Sequence, residues 1–238
     1  MTHRQRIAVG LLTLVVIFFG FAAAIFIYRQ LPARISYRLT LKVESEGIVS
    51  TGSSVIETRW YPGVINLGNA WNTRVRGEAV AVDVGDRGTL FALLTGPATP
   101  ARPTGETFYP HDPERILLEA FNAEKSRTGR SRDFLTAIAK HRDEVELPLT
   151  KLPMLVRFEN LSDPRSVERV DPTNLAASFG PGSRIVQATL RITDEPVTTN
   201  LEKQLVWLQK QNEASLNDEL RSGTGLTGNL IREDFIQP

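Results

Sequence analysis

The first pattern along the chain is an absence of charge. Residues 7–28 (IAVGLLTLVVIFFGFAAAIFIY) form 22 consecutive positions without a charged side chain. About 20 apolar residues, at 1.5 Å rise each, span the hydrocarbon core of a bilayer. Arg4 and Arg6 precede the run, Arg29 follows it, and Tyr28 stands at its edge, where an amphipathic ring is favoured. The pattern predicts a transmembrane helix over 7–28, with 1–6 as a short polar tail and 29–34 as a tether. A cleaved signal peptide is the rival reading, with Ala22-Ala23-Ala24 as a cleavage site. Secretory apolar regions run about 7–15 residues, and this one continues through Ile25 to Tyr28, which favours an uncleaved anchor.

Behind the tether the period changes to two. Ile35, Tyr37, Leu39, Leu41 and Val43 alternate with Ser36, Arg38, Thr40, Lys42 and Glu44, the pattern of a half-buried strand. Gly47 and the run Ser50-Thr51-Gly52-Ser53-Ser54 read as a turn. Residues 55–60 read as a second strand, stopped by Tyr61-Pro62-Gly63. Residues 75–84 and 89–94 flank Gly85-Asp86-Arg87-Gly88 as a hairpin. These strands predict an antiparallel sheet of about four.

Residues 95–111 hold four prolines and two glycines and read as a loop. Asp112-Pro113-Glu114 then opens a helix, with Asp112 as its cap and Ile116, Leu117, Ala120 and Phe121 as its apolar stripe. Gly129 interrupts. A second helix follows Ser131, with Phe134, Leu135, Ile138 and Ala139 on one face. Residues 154–159 and 185–193 read as strands, 174–179 as a short helix after Asp171-Pro172, and 201–208 as a last helix. From Gln209 the chain is polar, and 222–228 is flexible by composition. Strands, then helices, then strands define an α+β class: one antiparallel-sheet domain over 35–208 with a few covering helices, and a polar tail over 209–238.

Composition narrows the function classes. The 238 residues carry a formal net charge of +1, and without Arg4 and Arg6 the rest holds 26 basic against 27 acidic side chains. No basic footprint for nucleic acid results. The absence of cysteine removes disulfides, thiolate metal sites and a cysteine nucleophile. Gly223-Thr224-Gly225-Leu226-Thr227-Gly228 matches G-x-G-x-x-G, but ten residues from the end and without a preceding strand it lacks the context of a dinucleotide site. No G-x-S-x-G, S-x-x-K, P-loop or H-E-x-x-H occurs. His111 and His141, each beside carboxylates, are the only histidines after the apolar run. They carry the alternative of an envelope hydrolase, or of a metal site should their segments converge. The expectation is no cofactor, no metal and no catalytic centre.

Trp60 and Tyr61, with Asn66, Asn69 and Trp71, form the remaining candidate: a partner- or glycan-binding loop beside a sheet, since Trp and Tyr supply large rigid contacts. The competing reading has Trp60 in the core and Trp71 plugging the sheet end.

The stretches RGEAVAVDVGDRGTLFALLTG (76–96), FENLSDPRSVERVDPTNLAASFGPGSRI (158–185) and ITDEPVTTNLEKQLVWL (192–208) resemble segments of uncharacterised single-span inner-membrane proteins of Proteobacteria. The resemblance covers about half the domain. It implies a bacterial inner membrane and brings no activity or site residues. The sequence thus predicts a non-enzymatic binding or assembly domain, held to the lipid bilayer by 7–28, with an envelope protein or glycan as partner. Sidedness is less determined. Arg29, Arg34, Arg38 and Lys42 follow the run and outnumber the charges before it, which favours a cytoplasmic domain. The short tail before a long domain is the plan of an exported one, and the periplasm is the expectation adopted.

Overall fold

The computed structural model describes residues 3–62, 71–99, 107–121, 132–209 and 230–237. The fold is α+β, with two antiparallel sheets and few helices. A helix, α1 (His3–Gln30), leads into the domain. Side chains are described along it over residues 12–28, and all of these are exposed. Among the residues so described, which on α1 are 12–28, no helix is long and apolar enough to cross a membrane.

Two residues later β1 (Ala33–Ser45) begins, so the tether is shorter than the sequence implied. It pairs along its length with β2 (Ile48–Pro62). Glu46 and Gly47 join them with φ of 52° and 79°, the left-handed values that a two-residue hairpin turn of matching twist requires. The expected turn at 50–54 is therefore strand. Its small residues serve a crossing instead: a Cβ on Gly52 would lie 2.1 Å from the carbonyl oxygen of Ala81. Ser54 donates to the Glu78 carbonyl at 2.7 Å. Glycine weakens a strand interior but permits such an approach of a second backbone.

The apolar run at 75–84 is likewise not one strand. It divides into β3 (Trp71–Glu78), which pairs with β2, and β4 (Val80–Asp83), which pairs with β5 (Thr89–Ala92) in the other sheet. At the corner between them Ala79 donates its N–H to Phe235. The carboxylate of buried Glu78 accepts from the N–H groups of Asn200 and Leu201 at 2.6 and 2.7 Å. That anchors the start of α5 (Leu201–Gln204).

The remaining elements complete both sheets. Helices α2 (Arg115–Ala120), α3 (Arg132–Lys140) and α4 (Ala176–Phe179) fall where the periodicity placed them, though α2 and α4 are shorter. Asp112 does not cap α2 through its side chain; Arg115 donates to its backbone carbonyl. Strands β7 (Leu155–Phe158) and β9 (Arg184–Ile192) match the sequence reading, whereas β6 (Val145–Glu146), β8 (Val167–Val170) and β10 (Ile236–Gln237) lack a sequence pattern of their own. The sheets run β10-β3-β2-β1-β9-β6 and β4-β5-β7-β8.

Two cores follow. The inward face of β1 (Ile35, Tyr37, Leu39, Leu41, Val43) packs with Leu90 and Ala92 of β5, Ile116 and Leu117 of α2 and Leu135 of α3. On the far side of the four-stranded sheet, Phe91, Val156, Phe158 and Val167 meet Leu201, Trp207, Leu230 and Phe235. The rings of Phe158, Trp207 and Phe235 lie 5.5–6.0 Å apart, within the range of favourable aromatic pairing. Of the tail read from the sequence, residues 210–229 lie outside the described residues. Residues 230–237 return to the fold and close its second core.

Candidate functional site

The register of β2 and β3 sets out a row of guanidinium groups. Arg59 and Arg74 are cross-strand partners, and Arg76 lies opposite Glu57. Cross-strand partners point to one face and alternate residues share it. Arg59, Arg74 and Arg76 therefore lie on the outward face, while Val75 enters the core. Glu57 is buried, and its carboxylate is held by Arg34 and Arg59 together. The bond to Glu57 raises the Arg59 pKa above its ordinary value. Arg74 stacks over Tyr61, 5.6 Å from the ring centre. Neither Arg74 nor Arg76 has a carboxylate partner among the described residues.

A cleft of about 590 Å³ opens beside this row. One wall is β3 with Arg59 and Tyr61; the other is the turn at residues 111–114. The turn is fixed from below, because Tyr37 donates its hydroxyl to the Pro113 carbonyl at 3.2 Å. Burial pushes the Tyr37 pKa far above its ordinary value and keeps that donor protonated. From the side it is fixed by His111, whose Nδ1 lies 2.8 Å from Oδ1 of Asp234. Asp234 is buried; its Oδ2 accepts the Ile231 N–H at 2.9 Å and its carbonyl the Leu94 N–H at 2.6 Å. The hydrogen bond to Asp234 raises the His111 pKa against the opposing effect of burial.

The sequence candidates divide. Trp60 is fully buried and packs in the first core, so it leaves the contact surface. Among the described residues its indole N–H has no hydrogen-bond partner. Tyr61 lines the cleft. Trp71 opens β3, its backbone paired with Pro62, and its side chain lies outside the described residues, as do Asn66 and Asn69. His111 and His141 do not share the cleft. The His141 ring lies edge-on to Phe121 at 5.0 Å, and its buried Nδ1 has no hydrogen-bond partner among the described residues. Among the described residues no three His, Asp or Glu side chains group as a metal site. Sequence reasoning missed Arg59, Arg74, Arg76 and Asp234. The alternation Arg74-Val75-Arg76 was the available signal for two of them; the His111–Asp234 pairing, across 123 positions, had none.

Chemically, the cleft offers charge and hydrogen bonding on facing walls. Guanidinium groups suit carboxylate or phosphate, and Asp112 and Glu114 give the opposite wall the other sign. Comparison with protein-family models, curated proteins and solved structures found no match for the chain.

Proposed function

We propose that this protein is a membrane-anchored binding domain of the bacterial envelope, with the arginine-walled cleft as its contact surface. The observation that carries the anchor is the apolar helix itself. Its sequence is uncharged for 22 residues, and its large described side chains are all exposed, Phe18, Phe19 and Phe26 by more than 60%. A helix apolar on every face belongs in a protein core or a membrane. No core encloses this one over residues 12–28. The bilayer is the medium that accepts it, and the resemblance noted above favours a bacterial inner membrane with the domain in the periplasm.

Binding is the reading the cleft supports best. His111 ties the 111–114 turn to the C-terminal segment through its hydrogen bond to Asp234. The hydrolase alternative drew on loop carboxylates with His111 and His141, and these two histidines lie in separate surroundings. Washing membranes with alkaline carbonate tests the anchor. The intact protein should stay in the pellet; its release into the supernatant would sink the anchored reading.

A further inference from the structure

The six-stranded sheet is left incomplete on its β3 side. β10 pairs only with Gly77 and Glu78, through Gln237 and Ile236. Residues 72–76 are paired with β2 on one side and have no strand on the other among the described residues. An unpaired edge presents backbone N–H and C=O groups to any extended segment that fits. This edge also forms a wall of the cleft, so an incoming strand would lie between β3 and the 111–114 turn.

We propose that this edge receives an extended acidic segment of another protein, which adds to the sheet as a seventh strand. The charges select the occupant. A strand in the cleft points alternate side chains to opposite faces. On the outward face those side chains meet Arg74 and Arg76, spaced two apart and without carboxylate partners among the described residues. On the inward face they meet the wall bearing Asp112. The matching segment carries Asp or Glu at positions i and i+2, with a basic or neutral polar residue between. A second copy of this chain does not fit, because two β3 edges would set arginine against arginine, and like charges across a strand pair are destabilising. The inference deepens the binding reading of the cleft and is independent of the membrane anchor, so release of the protein from membranes would leave it standing.

The test uses the full chain in nanodiscs of zwitterionic lipid. The probe is a fluorescent ten-residue peptide alternating Glu with Thr; controls are the Lys–Thr peptide and a Glu–Thr peptide N-methylated at every amide, so that neither edge keeps its donors. Wild type should bind the acidic peptide, and the double variant Arg74→Glu, Arg76→Glu should lose about tenfold or more in affinity. That variant should gain the Lys–Thr peptide in return. N-methylation should abolish binding to the wild type, because it removes the backbone donors a strand requires, and this arm depends on no variant folding. Equal binding of the acidic and basic peptides overturns the proposal, as does undiminished binding of the N-methylated one. Vesicles containing anionic phospholipid form the last arm. If they bind the wild type through Arg74 and Arg76 while the acidic peptide does not, the surface is a lipid-headgroup site and the strand proposal fails.

Discussion

At the scale of single residues, Gly52 shows how a local sequence signal can be overruled by a distant contact. Ser50-Thr51-Gly52-Ser53-Ser54 has the composition of a turn, yet it continues β2, because β4 crosses there at backbone distance. A side chain at 52 would meet the Ala81 carbonyl and, at 2.8 Å, the Val82 side chain. Gly52→Ala should therefore force the sheets apart and cost about 1–3 kcal/mol, the usual penalty of overpacking. For a domain of this size that is a fall of roughly 2–4 °C in melting temperature per kcal/mol. Gly20→Ala, where an added carbon meets nothing within 4 Å, is the control and should leave melting unchanged. An unchanged melting temperature for Gly52→Ala would show that the crossing is looser than described. His111 makes the second residue-scale prediction. Its pKa is raised in the fold by Asp234, so its contribution is full below the ordinary histidine value, about 6.5, and is lost as pH rises through the folded value. The melting difference between wild type and His111→Gln should shrink as pH rises from about 6. A difference that grows with pH would contradict the pairing.

Elements were legible in the sequence where one face is buried and the other wet. β1 and β9 fit that description, and the period of two located both. β5 is different: Leu90 and Ala92 enter the first core while Phe91, and Leu93 just beyond the strand, enter the second, so the run from Leu90 to Leu93 is apolar on both faces. A continuous run marks burial on both faces but does not say against what. The answer lay about 140 positions away, in residues 230–237, whose four buried side chains are too few and too irregular to show a period. A shorter separation hid the cleft, since its two walls come from β3 and from the turn before α2. Phe235 is the keystone of this C-terminal return, packed against Trp207 and Phe158. Phe235→Ala should cost about 3–5 kcal/mol, as large aromatic truncations in cores do. Loss of near-ultraviolet circular dichroism and earlier denaturant unfolding would register it. A change under 1 kcal/mol, within the range of a surface substitution, would mean that the segment only rests on the surface.

At the scale of the whole molecule, the chain joins an apolar helix to a domain whose first strand starts two residues later. The register carries that proximity across the sheet: Ala33 faces Trp60, which faces Thr73. The entrance of the cleft, with Arg59 and Arg74 one step further along, therefore lies at the helix end of the domain. In the anchored reading the cleft opens near the membrane, and its natural partner reaches it from the same bilayer or along its surface. Sidedness decides which partners qualify. The charges after the helix favour a cytoplasmic domain, whereas the proposed reading places the domain in the periplasm. Export is the expected outcome. An alkaline phosphatase fused after Pro238 should then be active, and a fluorescent protein that matures only in the cytoplasm should stay dark at the same position. Exchanging Arg4 and Arg6 for Glu should shift part of the population away from the exported orientation, because that orientation relies on basic side chains before the helix. A bright fluorescent fusion with inactive phosphatase would place the cleft at the cytoplasmic face, and the acidic segment would then have to be sought among cytoplasmic proteins.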